Sequence, residues 1–299
     1  MNKRVWLASY PKSGNTWMRM LIGCLSLKDA DTIDINETAE AGGIASARLP
    51  FDHVTMIDSS LLTFEEIDRL RPRIYERDEQ SLTEEPEDAE AGIETMFAKA
   101  HDAYILNDLG EPLLAGARGA RGAILVVRDP RDIVASLANH NQSTTDEAIA
   151  VMNDPHGALC MKPDRIHKQL RQIMLSWSGH AASWLDQRDI PVHLVRYEAL
   201  KADTVSTFVE AMAFAGRPIT TEQAERAVQL ADFSQLQAKE AEHGFGERPP
   251  RVKAFFRNGQ TGGWRHELTE EQVRRIEEAH QPMMERLGYE PSLSMARAI

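Results

Sequence analysis

A short apolar run that passes through a polar loop into a helix constrains the fold most. Residues 4–9 have the pattern of a β-strand, and the loop YPKSGNTW occupies residues 10–17. Apolar residues then recur at helical spacing, at Met18, Leu21, Ile22 and Leu25. Because a strand–loop–helix turn directs backbone N–H groups and the positive end of a helix at one point, this segment predicts an anion site.

The loop carries the residue types that a phosphate group needs. Lys12 supplies a full positive charge, Ser13, Asn15 and Thr16 supply short donors, and Gly14 permits close backbone approach. Lys12 precedes the glycine, and the loop has no Gly-Lys-Ser/Thr in which a hydroxyl would bind Mg²⁺. The loop is therefore predicted to bind phosphate without a metal ion.

Further β-like runs alternate with helical patterns along the rest of the chain. The runs are Met96–Lys99, Ala123–Val127 and Val192–Val195, and residues 165–188 have the pattern of one long helix. Capping boxes at Thr63, Thr220 and Thr269, each with Glu or Gln three residues later, mark helix starts. Alternating strands and helices predict an α/β fold, a central parallel β-sheet flanked by helices.

A second candidate phosphate site follows the run Ala123–Val127. Arg128 stands where this strand leaves the sheet, and Asp129-Pro130 is typical of a helix start. On that helix Asp132, Ser136 and either Asn139 or His140 form a polar stripe. With Arg128 at its head, we expect this stripe to face a phosphate group.

Composition limits the partners of the chain. The 299 residues contain 34 Lys and Arg against 46 Asp and Glu, a net charge of −12. Such a surface repels nucleic acid and anionic membranes, so an anionic ligand requires a basic pocket inside an acidic shell. The two cysteines, Cys24 and Cys160, fit a reducing compartment. No run is long enough to cross a membrane or to form a signal peptide, which predicts a cytoplasmic protein.

Residues 29–98 stand apart in composition. Residues 79–94 hold seven acidic side chains and no Lys or Arg, which is typical of a solvated loop. We interpret 29–98 as an elaboration on the acceptor side of the site, with a lid over the pocket as the sharper alternative.

Together these segments resemble the PAPS-dependent sulfotransferases of the cytosolic type, PAPS being 3′-phosphoadenosine-5′-phosphosulfate. The loop at 10–17 is similar to the family's 5′-phosphosulfate loop, and RDPRDIVAS at 128–136 to its 3′-phosphate segment. Residues 256–265, FRNGQTGGWR, resemble its C-terminal loop, and Lys99-Ala100-His101 matches its Lys-x-His segment. The resemblance implies one sulfotransferase domain over 1–299, with a P-loop nucleotide-kinase-like fold.

The resemblance also implies site residues. It assigns the nucleotide to Lys12, Ser13, Gly14, Asn15, Thr16, Trp17, Arg128, Ser136, Tyr197, Phe233, Arg257, Asn258 and Gly259, and catalysis to His101, Lys12 and Lys99. Three positions depart from the family pattern. Asn258 replaces a usual Lys, Gly263 replaces the Asp before Trp264, and Ala231 stands where many members carry a hydroxyl.

In-line sulfuryl transfer needs positive charge at the leaving phosphate and a base at the acceptor. Lys12 and the loop amides serve the first need, and His101 or His140 could serve the second. Because the base must lie across the sulfur from the leaving phosphate, away from the 3′-phosphate segment, we favour His101. No metal-ligand spacing occurs in the sequence, so no metal is predicted.

Two other functions remain open from the sequence. A small-molecule kinase would use ATP and Mg²⁺, and a non-catalytic sensor would bind PAPS or the product bisphosphate PAP. The missing Gly-Lys-Ser/Thr disfavours the kinase, and Lys99 with His101 favours chemistry. The expected acceptor is a small molecule or natural product, through a hydroxyl rather than an amine; the oligomeric state is not predicted.

Overall fold

The strands confirm the predicted parallel sheet. The computed structural model describes residues 4–27, 32–40, 43–83, 95–162, 166–249, 252–257 and 259–292. In chain order the strands are β1 (Arg4–Ser9), β2 (Met96–Ala100), β3 (Gly122–Val127), β4 (Ala158–Leu159), β5 (Gln172–Ile173) and β6 (Val192–Arg196). Four of them form a parallel sheet in the order β2-β1-β3-β6, and β4 pairs with β5 in a separate antiparallel ribbon.

Helices fill the connections between the strands. They are α1 (Asn15–Cys24), α2 (Ile35–Glu40), α3 (Arg48–Thr55), α4 (Phe64–Thr83), α5 (Pro130–Asn141), α6 (Thr145–Asn153), α7 (Trp177–Asp186), α8 (Tyr197–Ala202), α9 (Thr204–Phe214), α10 (Thr221–Leu230), α11 (Phe233–His243), α12 (Trp264–Glu267) and α13 (Glu270–Arg286). The predicted capping boxes at Thr220 and Thr269 are present, and the Asp129 side chain caps α5 by accepting from Arg131 N–H.

Two hydrophobic cores cover the two faces of the sheet. Trp6 and Leu125 point into one core with α5 and α7, whereas Leu7 and Ile124 point into the other with α1 and α9. Neighbouring residues of one strand thus serve opposite faces, as the period of a strand requires. Burial on both faces is the usual condition of a parallel sheet, and it leaves the strand ends as the place where polar groups meet.

The prediction of one long helix over 165–188 is wrong. Its first half contains β5, and α7 begins only at Trp177, where the Ser176 side chain accepts from Gly179 N–H. Leu175 between them has a φ of 61°. This left-handed residue interrupts any helix. Of the apolar residues before it, Leu170 is buried, whereas Ile166 is exposed.

The region 29–98 contributes α2, α3 and α4, and it reaches the central sheet at residues 43–47. Lys99 N–H donates to Gly43 O at 3.1 Å, and Ala45 N–H donates to Lys99 O at 2.8 Å. This segment therefore lies along β2 beside its carboxyl end. Most of the predicted acidic loop, residues 84–94, lies outside the described residues, and the lid stays a prediction.

Two buried histidines predict a pH dependence of stability. Burial lowers the pKa of His180 and of His280 to about 4. The folded state therefore resists their protonation, and the unfolded state, with a histidine pKa of about 6.5, binds protons first as the pH falls. We expect the free energy of unfolding to drop by roughly 1–2 kcal/mol per histidine between pH 7 and pH 5.

Denaturant titrations at the two pH values measure this drop. His280→Gln is the matched variant, because an amide can still contact the Ser178 hydroxyl, which lies 2.9 Å from His280 Nδ1, but does not titrate. This variant should reduce the drop in the free energy of unfolding by the contribution of His280, roughly 1–2 kcal/mol. An unchanged drop in this variant would contradict the assignment.

Candidate active site

A cavity of about 920 Å³ opens at the carboxyl ends of the parallel strands. Each strand supplies its wall with residues at or just beyond its end. Lys12 follows β1, His101 follows β2, Arg128 follows β3 and Tyr197 follows β6. The residues that the sequence singled out from four distant segments thus meet at one edge of the sheet, where open α/β sheets bind ligands.

Positive charge is concentrated in this cavity although the chain is acidic. Its wall includes seven cationic side chains: Lys12, Arg19, Lys99, Arg128, Lys201, Arg248 and Arg257. Three carboxylates join them there, from Asp132, Glu247 and Glu267. The expected basic pocket is therefore present among the described residues, and it suits an anionic ligand.

The loop after β1 has the shape of a phosphate cradle, but not all of the side chains predicted to bind the nucleotide line the cavity. Gly14 and Thr16 line the cavity, whereas Ser13 is fully buried and lies outside the lining. The Asn15 amide donates to Leu7 O at 2.8 Å and to Ser9 Oγ at 3.1 Å. Asn15 therefore fastens the loop to β1 through its side-chain amide, and it also lines the cavity.

Lys12 has a strained backbone and a destabilised charge. Its φ of 72° is costly for a residue with a side chain, and such strain is typical of functional loops. Its ammonium lies 4.1 Å from the centre of the Phe255 ring. Burial, reinforced by the nearby Lys99, lowers the pKa of Lys12 to about 8. An incoming anion would relieve this repulsion, so the lysine is prepared for a negative ligand.

Gly14 gives a test of the loop. Its φ is 106°, and a Cβ there would lie 2.5 Å from Tyr197 Cδ2. We expect Gly14→Ala to weaken binding of PAP, the nucleotide that the resemblance implies, at least about tenfold, because left-handed strain alone costs roughly 1–2 kcal/mol. Gly110→Ala is the matched control, with a φ of 75° and no atom within 4 Å. Equal PAP affinities by calorimetry in both variants would contradict this account.

His101 is held in one tautomer. Its Nδ1 lies 2.7 Å from the backbone oxygen of Ser9, and a carbonyl only accepts, so Nδ1 carries the hydrogen. Nε2 then keeps its lone pair. Burial, with Lys99 as the next cause, lowers the pKa of His101 well below 6.5. The imidazole is therefore neutral at physiological pH and can accept a proton.

His140, the second candidate base, lies on α5 and also lines the cavity. Its ring centre is 6.4 Å from that of Phe255, and burial lowers its pKa to about 4. Lys12 is the largest charge acting on it, which places His140 on the Lys12 side of the cavity. Of the two alternatives for the predicted polar stripe, His140 rather than the exposed Asn139 faces the cavity.

Arg128 and Tyr197 attach the C-terminal loop to the sheet. The Arg128 guanidinium donates to Gln260 O at 2.7 Å and lies 4.5 Å from the centre of the Tyr197 ring. The Tyr197 hydroxyl donates to Gly259 O at 2.9 Å. Ser136 and Arg257 line the same cavity. Arg128, Ser136 and Arg257, predicted from two distant motifs, thus share one chamber; Asn258 lies outside the described residues.

Aromatic rings form a further part of the wall. Trp17 Nε1 donates to Ala231 O at 3.1 Å, which fixes the indole ring in the cavity wall. The Lys201 ammonium lies 5.1 Å from the Trp17 ring and 5.9 Å from the Phe233 ring. A Cβ on Gly259 would lie 2.6 Å from Phe233, so a glycine is needed for this close approach.

Asp132 lines the cavity with the rest of the predicted polar stripe, but its carboxylate also binds the C-terminal loop. Its carboxylate accepts from Gly262 N–H at 2.7 Å and from Trp264 N–H at 3.0 Å. A second anion beside it would be repelled, whereas the backbone amides are satisfied by it. Asp132 therefore orders the C-terminal loop, close to the point where Gly263 replaces the family's Asp.

Sequence reasoning missed several cavity residues, among them Arg19, Glu247 and Phe255. Arg19 stands among the apolar residues of α1, and its side chain is 5% exposed. Its guanidinium lies 2.6 Å from the Glu247 carboxylate. An arginine on the buried face of an amphipathic helix was one available signal, and the position of Phe255 next to the motif at 256–265 was another, whereas nothing around Glu247 forms a motif.

Neither a metal centre nor a membrane span emerges in the part of the chain that the structure describes. Within those ranges no three His, Cys, Asp or Glu side chains group closely enough to hold a metal ion. None of the described helices combines the length and apolar character that crossing a membrane requires.

Comparison with known proteins defines the class. A model of the sulfotransferase domain matches residues 2–288. The chain therefore belongs to the sulfotransferase family. It is 24% identical over 284 residues to cytosolic sulfotransferase 17 of Arabidopsis thaliana, covering 91% of this chain and 71% of the relative. It is 25% identical over 283 residues to luciferin sulfotransferase of Photinus pyralis, covering 91% and 69%.

Solved structures share the fold. A mouse sulfotransferase complexed with PAP superposes with a TM-score of 0.57 at 17% identity, covering 95% of this chain and 85% of that one. Retinol dehydratase in complex with retinol and PAP gives 0.57 at 18% identity, covering 95% and 81%. The predicted family, fold class and enzyme class are thus confirmed.

Proposed function

We propose that this protein transfers the sulfuryl group from PAPS to a hydroxyl group of a small-molecule acceptor. The observation that carries the proposal is the meeting of a phosphate cradle, a neutral histidine and two arginines in one basic cavity. Family membership supports PAPS as the donor, and two structural neighbours are complexes with PAP.

In this mechanism Lys12 and the amides of the loop stabilise the charge that develops on the leaving phosphate. His101 Nε2 takes the acceptor proton, since Nδ1 already donates to Ser9 O. Lys99, two residues before His101 and 15% exposed, supports the sulfonyl oxygens. Side chains alternate along a strand, so Lys99 and His101 share one face, and both line the cavity. No step requires a metal ion.

The 3′-phosphate would bind at Arg128, Ser136 and Arg257, and the adenine among Trp17, Tyr197 and Phe233. Free arginine donors are available there, because the Arg128 Nε is buried without a partner. The Arg257 guanidinium has an acidic neighbour, Glu267, at 3.7 Å, a weak contact that a phosphate can replace.

Apolar side chains form part of the cavity wall, among them Ile44, Leu137, Leu159 and Phe245. Such a wall suits a compact organic molecule. A relative named for luciferin, and a neighbour complexed with retinol, support acceptors of that kind. The net charge of −12 disfavours a polyanionic glycan.

A thermal-shift assay separates the three candidate functions. PAPS and PAP in EDTA should each raise the Tm, because binding to the folded state stabilises it. ATP in EDTA should have little effect. A shift that requires both ATP and Mg²⁺ would instead favour the kinase, and stabilisation by PAP without turnover on any acceptor would favour the sensor.

Arg128 should distinguish donors by their 3′-phosphate. Loss of a charged hydrogen bond costs about 1.5–3 kcal/mol, so Arg128→Ala should weaken PAPS binding by that amount. Because Arg128 also holds Gln260 O, affinity alone is ambiguous. Wild type should therefore prefer PAPS to the analogue that lacks the 3′-phosphate, while Arg128→Ala barely distinguishes them.

Arg265→Ala is the matched control for this experiment. This arginine belongs to the same loop region, where it stacks 4.4 Å from the Trp264 ring and does not line the cavity. It should keep the full preference for PAPS. Equal discrimination by Arg128→Ala and wild type would remove Arg128 from the 3′-phosphate site.

A further inference from the structure

Glu247 is a carboxylate in the wall of the cavity that the proposed mechanism does not use. It lies after α11, and its side chain is 28% exposed. Oε1 lies 2.6 Å from Arg19 Nη1, and Oε2 lies 3.5 Å from Lys99 Nζ. The Thr16 hydroxyl donates to the same Oε2 at 3.4 Å. One carboxylate thus joins the helix of the phosphate loop to the strand that carries Lys99.

The charges around Lys99 make this contact matter. Burial lowers the pKa of Lys99, and Glu247 is the largest influence that raises it. Burial raises the pKa of Glu247 itself, but Lys99 and Arg19 outweigh burial and keep it below the ordinary value. The titratable and charged groups that act on Lys99 or feel its charge are Arg19, Lys12, His101, His140 and Glu247. Glu247 is the anion among these five.

We propose that Glu247 is a positioning residue for sulfuryl transfer, which holds the Lys99 ammonium charged and fixed beside the phosphate loop. An ammonium has three donor hydrogens, so the contact with Glu247 leaves two for the sulfonyl oxygens. The inference rests on the proposed function, in which Lys99 supports those oxygens. It adds a residue from a segment that carries no recognisable motif.

The competing explanation is an ion pair that only neutralises the buried Arg19. If Glu247 acts through Lys99, replacing Lys99 abolishes the effect of Glu247→Gln on kcat. If Glu247 only neutralises Arg19, replacing Arg19 abolishes that effect instead. Groups that act as a unit are not additive, whereas independent groups are. A cycle of variants therefore separates them.

The cycle measures kcat at pH 7, where Lys12, with a pKa of about 8, stays mostly protonated. We expect Glu247→Gln to lower kcat about tenfold in wild type and again in an Arg19→Gln background. In a Lys99→Met background the same substitution should change kcat less than about twofold. A tenfold loss that persists without Lys99, or that vanishes without Arg19, would overturn the proposal.

Glu242→Gln is the charge-matched control. Glu242 is 63% exposed on α11, outside the cavity lining, and its neighbours are Lys239 and His243. It removes one negative charge from the same part of the chain. It should leave kcat unchanged; a tenfold loss here would show that net charge, rather than the contact with Lys99, causes the effect.

A second measurement does not depend on catalysis. NMR titration of lysines carrying isotope-labelled methyl groups reports the pKa of each lysine separately. Glu247→Gln should lower the pKa of Lys99 by about one unit, the equivalent of a tenfold change. An unchanged Lys99 titration would overturn the proposal even if the protein proved inactive. Absence of sulfuryl transfer by wild type, with the lysine shift present, would instead refute the proposed function alone.

Discussion

Replacing His101 by alanine should lower kcat by roughly 10²–10⁴, the usual contribution of a general base, while the affinity for PAPS changes little. The reason is the tautomer. Ser9 O fixes the hydrogen on Nδ1, so Nε2 presents its lone pair. Steady-state kinetics with varied PAPS, together with calorimetric binding of PAP, measure the two effects separately.

The pH profile adds an independent check on His101. Burial lowers its pKa well below 6.5, so the neutral form persists into acid. The acid limb of kcat should therefore lie well below the ordinary histidine value of about 6.5 and should disappear in His101→Ala. His140→Ala is the comparison variant, and it should alter nucleotide affinity more than kcat. An inactive His140→Ala beside a normal His101→Ala would reverse the assignment.

Replacing Lys12 by alanine should lower kcat by roughly 10²–10³, as loss of a preorganised electrostatic donor does in other enzymes. Lys12→Met keeps the length of the side chain next to Phe255 but not the charge, so it should lose nearly as much. A raised KM with an unchanged kcat would show that Lys12 binds the ground state and the transition state equally.

Lys12 should also limit the activity at alkaline pH. Its pKa of about 8 means that the free enzyme loses this cation as the pH rises through that value. The value of kcat/KM for PAPS should therefore decline above about pH 8, since kcat/KM reports the free enzyme. This decline of kcat/KM at alkaline pH should be absent in Lys12→Met.

The sequence was sufficient for the sheet and for most of the cavity. Strand positions followed from short apolar runs, and the edge where Lys12, His101, Arg128 and Tyr197 meet followed from their places at strand ends. Parallel strands end on one side of a sheet, so residues at those ends converge wherever they lie in the chain. Helix starts were equally readable, because capping residues act locally.

The features that the sequence did not reveal depend mostly on contacts between residues that are far apart in the chain. Asp132 was predicted only as part of a stripe that faces a phosphate, and its hydrogen bonds with the backbone amides of Gly262 and Trp264, about 130 residues away in the chain, were not foreseen. Glu247 acquires its role only through Arg19 and Lys99, which lie in two other segments. The apolar spacing over 165–188 was mistaken for one helix, although β5 and the left-handed Leu175 interrupt it.

The most direct test of the proposed sulfotransferase activity is to measure transfer of labelled sulfur from PAPS in the presence of EDTA. The purified protein is given a panel of small molecules that carry alcohol, phenol or amine groups. We expect label on at least one hydroxyl-bearing acceptor, with one PAP released for each transfer. The His101→Ala variant should label almost no acceptor. Tight binding of PAPS without transfer to any acceptor, or phosphate transfer that requires ATP and Mg²⁺, would contradict the proposed activity.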